Sequence, residues 1–192
     1  MTDKLHIVLL LGSIRQGRRS HWLARMLMDR LNAVPGVKAE LWDLAERPLP
    51  LLENRWAEQN PQPESLASAS ASFRAADALV FISPEYHGSY TGVLKNAVDH
   101  FWKEFHRKPI GVAATGSGRF GGLNASTEMQ QLVLSLGAFP MPYKLLVPFI
   151  SKVFDAEGNP VSPELEASVD TFVQEFLWFA RALAAAREPV RA

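Results

Sequence analysis

Cysteine is absent from the chain, which excludes disulfides, thiolate metal sites, iron–sulfur clusters and thiol redox catalysis. Any redox chemistry has to come from a bound cofactor. An excess of either charge is also missing. The 20 Lys+Arg balance 20 Asp+Glu, so no overall field recruits nucleic acid or an anionic membrane surface. No run approaches the roughly 18 apolar residues of a membrane-spanning helix, and no small-residue cleavage site follows the short apolar run near the N-terminus. The expectation is an unexported, cytoplasmic protein. Repeats and low-complexity segments are lacking apart from an Ala/Ser run at 67–72. What is present, 192 residues with 47% hydrophobic and 21% charged content, reads as one globular domain over residues 1–192, long enough to bury well over half of its unfolded surface.

The first organised stretch is Ile7-Val8-Leu9-Leu10-Leu11, which stops at Gly12 and gives way to a polar loop ending at Ser20. An unbroken apolar run of this length reads as a strand buried on both faces, at the centre of a parallel sheet. Trp22, Leu23, Met26, Leu27, Leu31 and Val34 then fall on one side of a helix that ends at Pro35-Gly36. A second strand is expected over Val37 to Asp43. Ala45 to Pro63 carries Pro48, Pro50, Pro61 and Pro63 around Leu49, Leu51, Leu52 and Trp56, a long loop expected to act as a lid or subunit contact. A weak helix over Glu64 to Ala76 and a strand over Ala78 to Ile82 follow. The next helix is expected from Val93 to about Phe105, with Phe101, Trp102 and Phe105 on a face wide enough to suggest a dimer contact as well as core. Strands over Pro109 to Ala114 and near Met141 to Val147 flank a helix with Met129, Leu132, Val133 and Leu136. A surface excursion over Phe149 to Pro163 and a final helix with Leu165, Val169, Phe172, Phe176 and Leu183 complete the pattern.

Five strands alternating with helices predict a three-layer α/β/α sandwich with a five-stranded parallel sheet in the order 2-1-3-4-5. In such sheets ligands bind at the carboxyl ends of the strands, near the point where strand order reverses. Three Gly/Ser-rich loops, at 12–20, 83–92 and 115–122, emerge there and are expected to converge. The first offers a serine hydroxyl, arginines and the unpaired N–H groups of a helix start, all suited to an anion.

Two phosphate motifs need testing against these loops. Gly12 to Gly17 has the GxxxxG spacing of a P-loop, but Arg18-Arg19 stands where Lys-Ser/Thr is required, so no hydroxyl waits for Mg²⁺. Gly116 to Gly121 matches GxGxxG, yet it follows a late strand, and no acidic residue lies about twenty positions on, where Leu136 to Pro140 is apolar. Blander readings apply elsewhere. Pro84-Glu85-Tyr86 alone could be a rigid turn, Lys95 and Asp99 form an i,i+4 helix pair, and Arg19 suits a solvated charge as well as it suits a ligand contact. His6 suits a strand end, and His87, His100 and His106 lack a metal-ligand pattern.

Gly12-Ser13-Ile14-Arg15, Pro84-Glu85-Tyr86-His87-Gly88-Ser89 with Gly92-Val93-Leu94-Lys95-Asn96-Ala97-Val98-Asp99, and Thr115-Gly116-Ser117-Gly118 followed by Gly121-Gly122 together resemble the NAD(P)H-dependent FMN reductase family of flavodoxin-like proteins. The middle motif is the most specific, and the resemblance covers about residues 4–147. It implies noncovalent FMN, NADPH or NADH as co-substrate, a small-molecule two-electron acceptor such as a quinone, free flavin, chromate or azo compound, and a homodimer or homotetramer. It further implies that Ser13, Arg15, Arg18 and Ser20 hold the FMN phosphate. Pro84, Glu85, Tyr86 and His87 would border the isoalloxazine, and Thr115, Gly116 and Gly118 would meet its pyrimidine edge. The family's first loop often continues as Ser-x-Asn, where this chain has Arg18-Arg19-Ser20-His21. A reduced flavin carries negative charge near N1, which amides ahead of a helix can stabilise. Hydride passes between stacked rings, so no side chain is nominated as catalytic acid or base. The competing reading is a flavodoxin-type electron carrier without nicotinamide turnover, against which the neutral net charge and the loop arginines argue.

Overall fold

The computed structural model describes residues 4–54, 58 and 61–186. Its elements run β1 (Leu5–Leu11), α1 (Ser20–Asn32), β2 (Val37–Asp43), α2 (Glu64–Ala75), β3 (Ala78–Pro84), α3 (Gly92–Asp99), β4 (Pro109–Thr115), α4 (Leu123–Ser135), β5 (Phe139–Val147) and α5 (Pro163–Ala186). The strands form one parallel sheet in the order β2-β1-β3-β4-β5, as the alternation predicts.

Side chains alternate across a strand, so β1 feeds two cores. Ile7, Leu9 and Leu11 join Leu23, Leu27, Phe172 and Phe176 from α1 and α5 on one face. Val8 and Leu10 join Leu66, Phe73, Leu94, Val98 and Met129 from α2, α3 and α4 on the other. These are the two outer layers of a flavodoxin-like three-layer sandwich. Every residue of β4 is buried, whereas β5, at the sheet edge, tolerates Pro140 and Pro142 and is irregular where Ile110 and Val112 pair with Pro140 and Lys144.

The structure differs from expectation most clearly after α3. The helix stops at Asp99, not near Phe105, and residues 100–107 run as turns. The cause is tertiary packing. Phe101 and Phe105 are buried around Phe73, at ring separations of 5.4 Å and 5.6 Å, and the Trp102 N–H, which a continued helix would give to the Val98 carbonyl, is taken by the Glu104 carboxylate. Both belong to the core. Only Trp102 of the three is exposed. The proline-rich loop is tied to this corner by Asn96, which accepts from Leu52 N–H at 2.9 Å and donates to the Pro50 carbonyl at 2.8 Å. Trp56 lies outside the described residues. The last strand starts at Phe139, two residues earlier than expected. Among the described residues no helix is long and apolar enough to cross a membrane.

Glu104 organises the same turn region. Its buried carboxylate accepts from Ser70 Oγ at 2.7 Å, Arg74 Nη2 at 2.9 Å and Trp102 N–H at 3.3 Å. Burial pushes its pKa up, but the hydrogen bonds from Ser70 and Arg74 outweigh burial and hold it below the ordinary glutamate value of 4.5. A depressed carboxylate pKa contributes stability that is present above the unfolded value and lost as pH falls through the folded one. Glu104→Gln should therefore lower the thermal midpoint at pH 7 by a few degrees. Arg74 is 66% exposed, which limits the loss to about 1 kcal/mol. The gap between variant and wild type should close as the melts are taken well below pH 4.5; a gap independent of pH would show that the charge on Glu104 is irrelevant.

Candidate functional site

The site is assembled where β1, β3 and β4 end. Gly12 N–H donates to the Ile82 carbonyl at 2.8 Å, and the Gly12 carbonyl accepts from Thr91 Oγ1 at 2.5 Å. A Cβ on Gly12 would strike the Leu94 side chain, so only glycine lets the strand pass this close to α3. Thr91 also caps α3, accepting from Leu94 N–H, while its own N–H donates to Ser83 Oγ at 3.0 Å. These bonds clamp the first loop to the second.

Beyond Gly12 the chain turns sharply, with Gly17 at φ 67° and Arg18 N–H donating to the Arg15 carbonyl at 3.1 Å. Ser13 is buried, and its Oγ has no hydrogen-bond partner. Arg15 is exposed. Arg18 grips both carboxylate oxygens of Asp43 at 2.5 and 2.6 Å, so the expectation that it meets an anion directly has a strong competitor inside the protein. Arg19 reaches the Ser151 carbonyl at 2.5 Å and lies over the Trp22 ring. Arg19 is also the N-cap residue of α1 and makes no side-chain cap bond, which leaves that positive helix end without a side-chain acceptor. His21, in the first turn, has its pKa lowered chiefly by burial, with the charges of Arg18 and Arg25 pressing the same way. A backbone hydrogen bond at Arg18 and the charge of Asp43 oppose the shift without cancelling it.

The second loop leaves β3 at Pro84. Glu85 N–H donates to the Thr115 carbonyl at 2.9 Å, and Tyr86 and Ser89 exchange backbone hydrogen bonds at 2.9 and 3.1 Å. His87 and Gly88 between them both have positive φ, 51° and 80°, the type I′ pattern of a tight reversal. The Glu85 carboxylate accepts from Ala125 N–H at 3.0 Å and lies 3.4 Å from Asn124 Nδ2. It therefore caps α4, whose own N-cap is Gly122. The third loop is pressed onto the end of β5. Gly116 N–H donates to the Val147 carbonyl at 3.0 Å and its carbonyl accepts from Ile150 N–H at 3.1 Å. Gly122, at φ 88°, has no room for a Cβ beside Thr115 N and Ala114. Of the GxGxxG glycines, Gly116 and Gly121 are explained by close packing, since a Cβ on either would strike backbone, whereas Gly118 stands in open space.

Together the loops enclose a cavity of about 500 Å³ lined by Ser13, Arg15, Gly17, Arg18, Arg19, Ser20, Pro84, Glu85, Tyr86, Thr115, Gly116, Ser117, Ile150 and Ser151. This volume suits a cofactor-sized ligand. His87 and Gly118 flank the cavity without lining it. Gly17, Arg19, Ser117, Ile150 and Ser151 were not anticipated as site residues; the last two arrive through the Ile150–Gly116 hydrogen bond, which leaves no local mark in the sequence. A larger hollow of about 800 Å³ between α1 and α5, around Val34, Leu177 and Trp178, is open, mostly apolar and shares no residue with the loops. Among the described residues no cluster of three or more His, Asp or Glu could hold a metal. The cavity offers an anion site at one end, made of a free arginine, an orphaned hydroxyl and an uncapped helix, and a slot between the second and third loops.

Because Glu85 caps α4 from another loop, Glu85→Ala should cost about 1 kcal/mol of stability and speed amide exchange at Ala125 relative to the rest of α4. Unchanged exchange at Ala125 would remove the capping role.

Comparison with known proteins agrees with this geometry. A family model described as NADPH-dependent FMN reductase matches residues 5–151. An NAD(P)H-dependent FMN reductase of Pseudomonas aeruginosa is 29% identical over 190 residues, covering 94% of this chain and 98% of that protein. An FMN-dependent NADPH-azoreductase of Staphylococcus haemolyticus is 32% identical over 130 residues, 65% of each chain. Among solved structures, FerB, a flavoenzyme NAD(P)H:(acceptor) oxidoreductase from Paracoccus denitrificans, superposes with a TM-score of 0.75 at 24% identity, covering 92% of this chain and 97% of that one; at that identity the likeness is one of fold. The match from residue 5 to residue 151 spans all three loops and the sheet that carries them, and the chain belongs to the NADPH-dependent FMN reductase family.

Proposed function

We propose that this oxidoreductase holds FMN in the three-loop cavity and works as an NAD(P)H:acceptor reductase, a single domain over residues 1–192 acting in the cytoplasm. The observation that carries the reading is the buried Ser13 Oγ, which has no partner within the protein and stands beside the free Arg15 and the uncapped start of α1. A buried hydroxyl left unpaired is costly, and a phosphate oxygen satisfies it. The donor set suits one terminal phosphate, which favours FMN over FAD.

Ser13, Arg15 and Ser20, with the first amides of α1, would hold the phosphate. Pro84, Glu85, Tyr86 and His87 would border the ring system along one side, with Glu85 kept in place by its bond to α4. On the other side Thr115, Gly116 and Gly118 would meet the pyrimidine edge. The Gly116 N–H is already given to Val147, so Ser117 and Gly118 are the amides available for developing negative charge. The bound flavin supplies the chemistry, taking two electrons from NADPH or NADH and passing them to a quinone, free flavin, chromate or azo-type acceptor. The protein's part is to bind, orient and shield.

A homodimer or homotetramer is also part of this reading. Trp102 is 58% exposed and Leu52 39%, and both line an open hollow of about 630 Å³ beside α3 and α4, exposed apolar side chains of the kind that subunits cover. Light scattering at micromolar concentration should give at least twice the chain mass, and a monomer would remove the oligomer.

The purified protein should be yellow, should release FMN on denaturation, and should turn over NADPH with a quinone. FAD in the supernatant would refute the cofactor assignment, and slow bleaching without turnover would mark a carrier. Arg15→Ala should weaken FMN binding on the order of tenfold to a hundredfold, since a hydrogen bond to a charged group is worth roughly 1.5–3 kcal/mol and a decade of affinity about 1.4 kcal/mol. Arg15→Lys should recover only part, the planar fork being lost. Both apo forms should melt together with wild type, because Arg15 is exposed; unchanged FMN affinity in Arg15→Ala would exclude the phosphate role.

A further inference from the structure

Arg18 lines the cavity, yet the strongest partners of its guanidinium belong to the protein. Nη1 donates to Asp43 Oδ1 at 2.5 Å, Nη2 to Asp43 Oδ2 at 2.6 Å, and Nη1 also donates to the Ser13 carbonyl at 2.5 Å. The side chains are 15% and 4% exposed, so the pair is largely removed from water, and loss of either member would strand a buried charge. Asp43 is the last residue of β2, and its carboxylate is fixed again by Ala45 N–H at 3.0 Å. It does not line the cavity.

The placement of these bonds gives them a consequence. Ser13 lies two residues beyond the end of β1, so the fork ties the start of the anion loop to the neighbouring edge strand. The Arg18 N–H to Arg15 carbonyl bond closes the turn between them and leaves Arg15 exposed. The Arg18 side chain therefore holds the backbone of the orphaned serine, while the main-chain N–H of the same residue holds that of the free arginine. Its positive charge is cancelled by Asp43, so it adds little net field for an incoming phosphate.

We infer that Arg18 is a positioning residue which shapes the phosphate loop through Asp43, and that Asp43, without touching the ligand, is required for phosphate recognition. This rests on the FMN reading above. The alternative, Arg18 as the phosphate's direct partner, makes Asp43 a competitor and reverses the sign of the expected effect.

The test is to titrate apoprotein with FMN and with riboflavin, which has the same ring system and no phosphate, for wild type, Asp43→Asn, Arg18→Lys and the double variant. Asp43→Asn should weaken FMN binding roughly tenfold, the equivalent of one charged hydrogen bond, while riboflavin affinity stays within about twofold. The double variant should be no worse than the weaker single one, because both substitutions break the same fork. Unchanged or tighter FMN binding in Asp43→Asn overturns the inference, and so does an equal loss for both flavins, which would mean a general structural role. Should Asp43→Asn fail to fold, Asp43→Glu decides: it keeps the charge but displaces both carboxylate oxygens from the Arg18 fork, so unchanged or tighter FMN binding overturns positioning, and a loss confined to FMN supports it. A wild-type protein that takes up neither flavin refutes the cofactor reading, and the inference with it.

Discussion

Because β1, β3 and β4 are buried on both faces, their backbone N–H and C=O groups have to be satisfied by neighbouring strands. The parallel ladder does this in a register that brings the strand ends together: Leu11 opposes Ile82, and Pro84 opposes Thr115. The ladder then continues past the regular strands, through Gly12 N–H to Ile82, Glu85 N–H to Thr115 and Gly116 N–H to Val147. The three loops are consequently held side by side by main-chain bonds, which the Thr91 hydroxyl reinforces between the first and second. Side chains adjust what the ladder has already placed.

The buried charges show how that adjustment is divided. Glu104 satisfies a turn at the base of α3 and keeps Phe101 and Phe105 in the core. Lys108 donates to the Phe73 and Arg74 carbonyls at 2.6 and 2.8 Å, placing a cation where the dipole of α2 ends. Arg18 and Asp43 do the corresponding work at the carboxyl end of the sheet. In each case a desolvated charge is matched by partners from another element, which is the condition for burying it without large loss. Ser13 Oγ has no hydrogen-bond partner, and neither do the buried ring nitrogens of His6, His21, Trp42 and His100; of these five residues Ser13 is the one that lines the cavity.

Much of the fold was legible in the amino-acid sequence. Continuous apolar runs of five or six residues can be buried only in a central sheet, and the strand–helix alternation leaves few topologies, so Ile7 to Leu11, Ala78 to Ile82 and Pro109 to Ala114 announced the sheet and its order. The loops at 12–20, 83–92 and 115–122 could be read as one site because a parallel sheet sends the carboxyl ends of its strands to one edge. Glycine, serine and arginine there pointed to an anion site, since those groups are the ones that approach and pair with a phosphate.

Tertiary structure alone decided the rest, because each remaining feature depends on residues distant in the chain. The end of α3 was set by the place of Phe73, on a different helix, and not by the helical pattern, which runs on to Phe105. Arg18 lines the cavity as its place in the loop suggests, but its bonds to Asp43, 25 positions away, are made only in the folded chain. Glu85 became the cap of α4 through a bond across 40 positions. Ile150 and Ser151 reached the cavity by a main-chain bond that carries no sequence signature. Apolar periodicity is local and survives in one dimension; the partner of a charge or a hydroxyl is chosen in three.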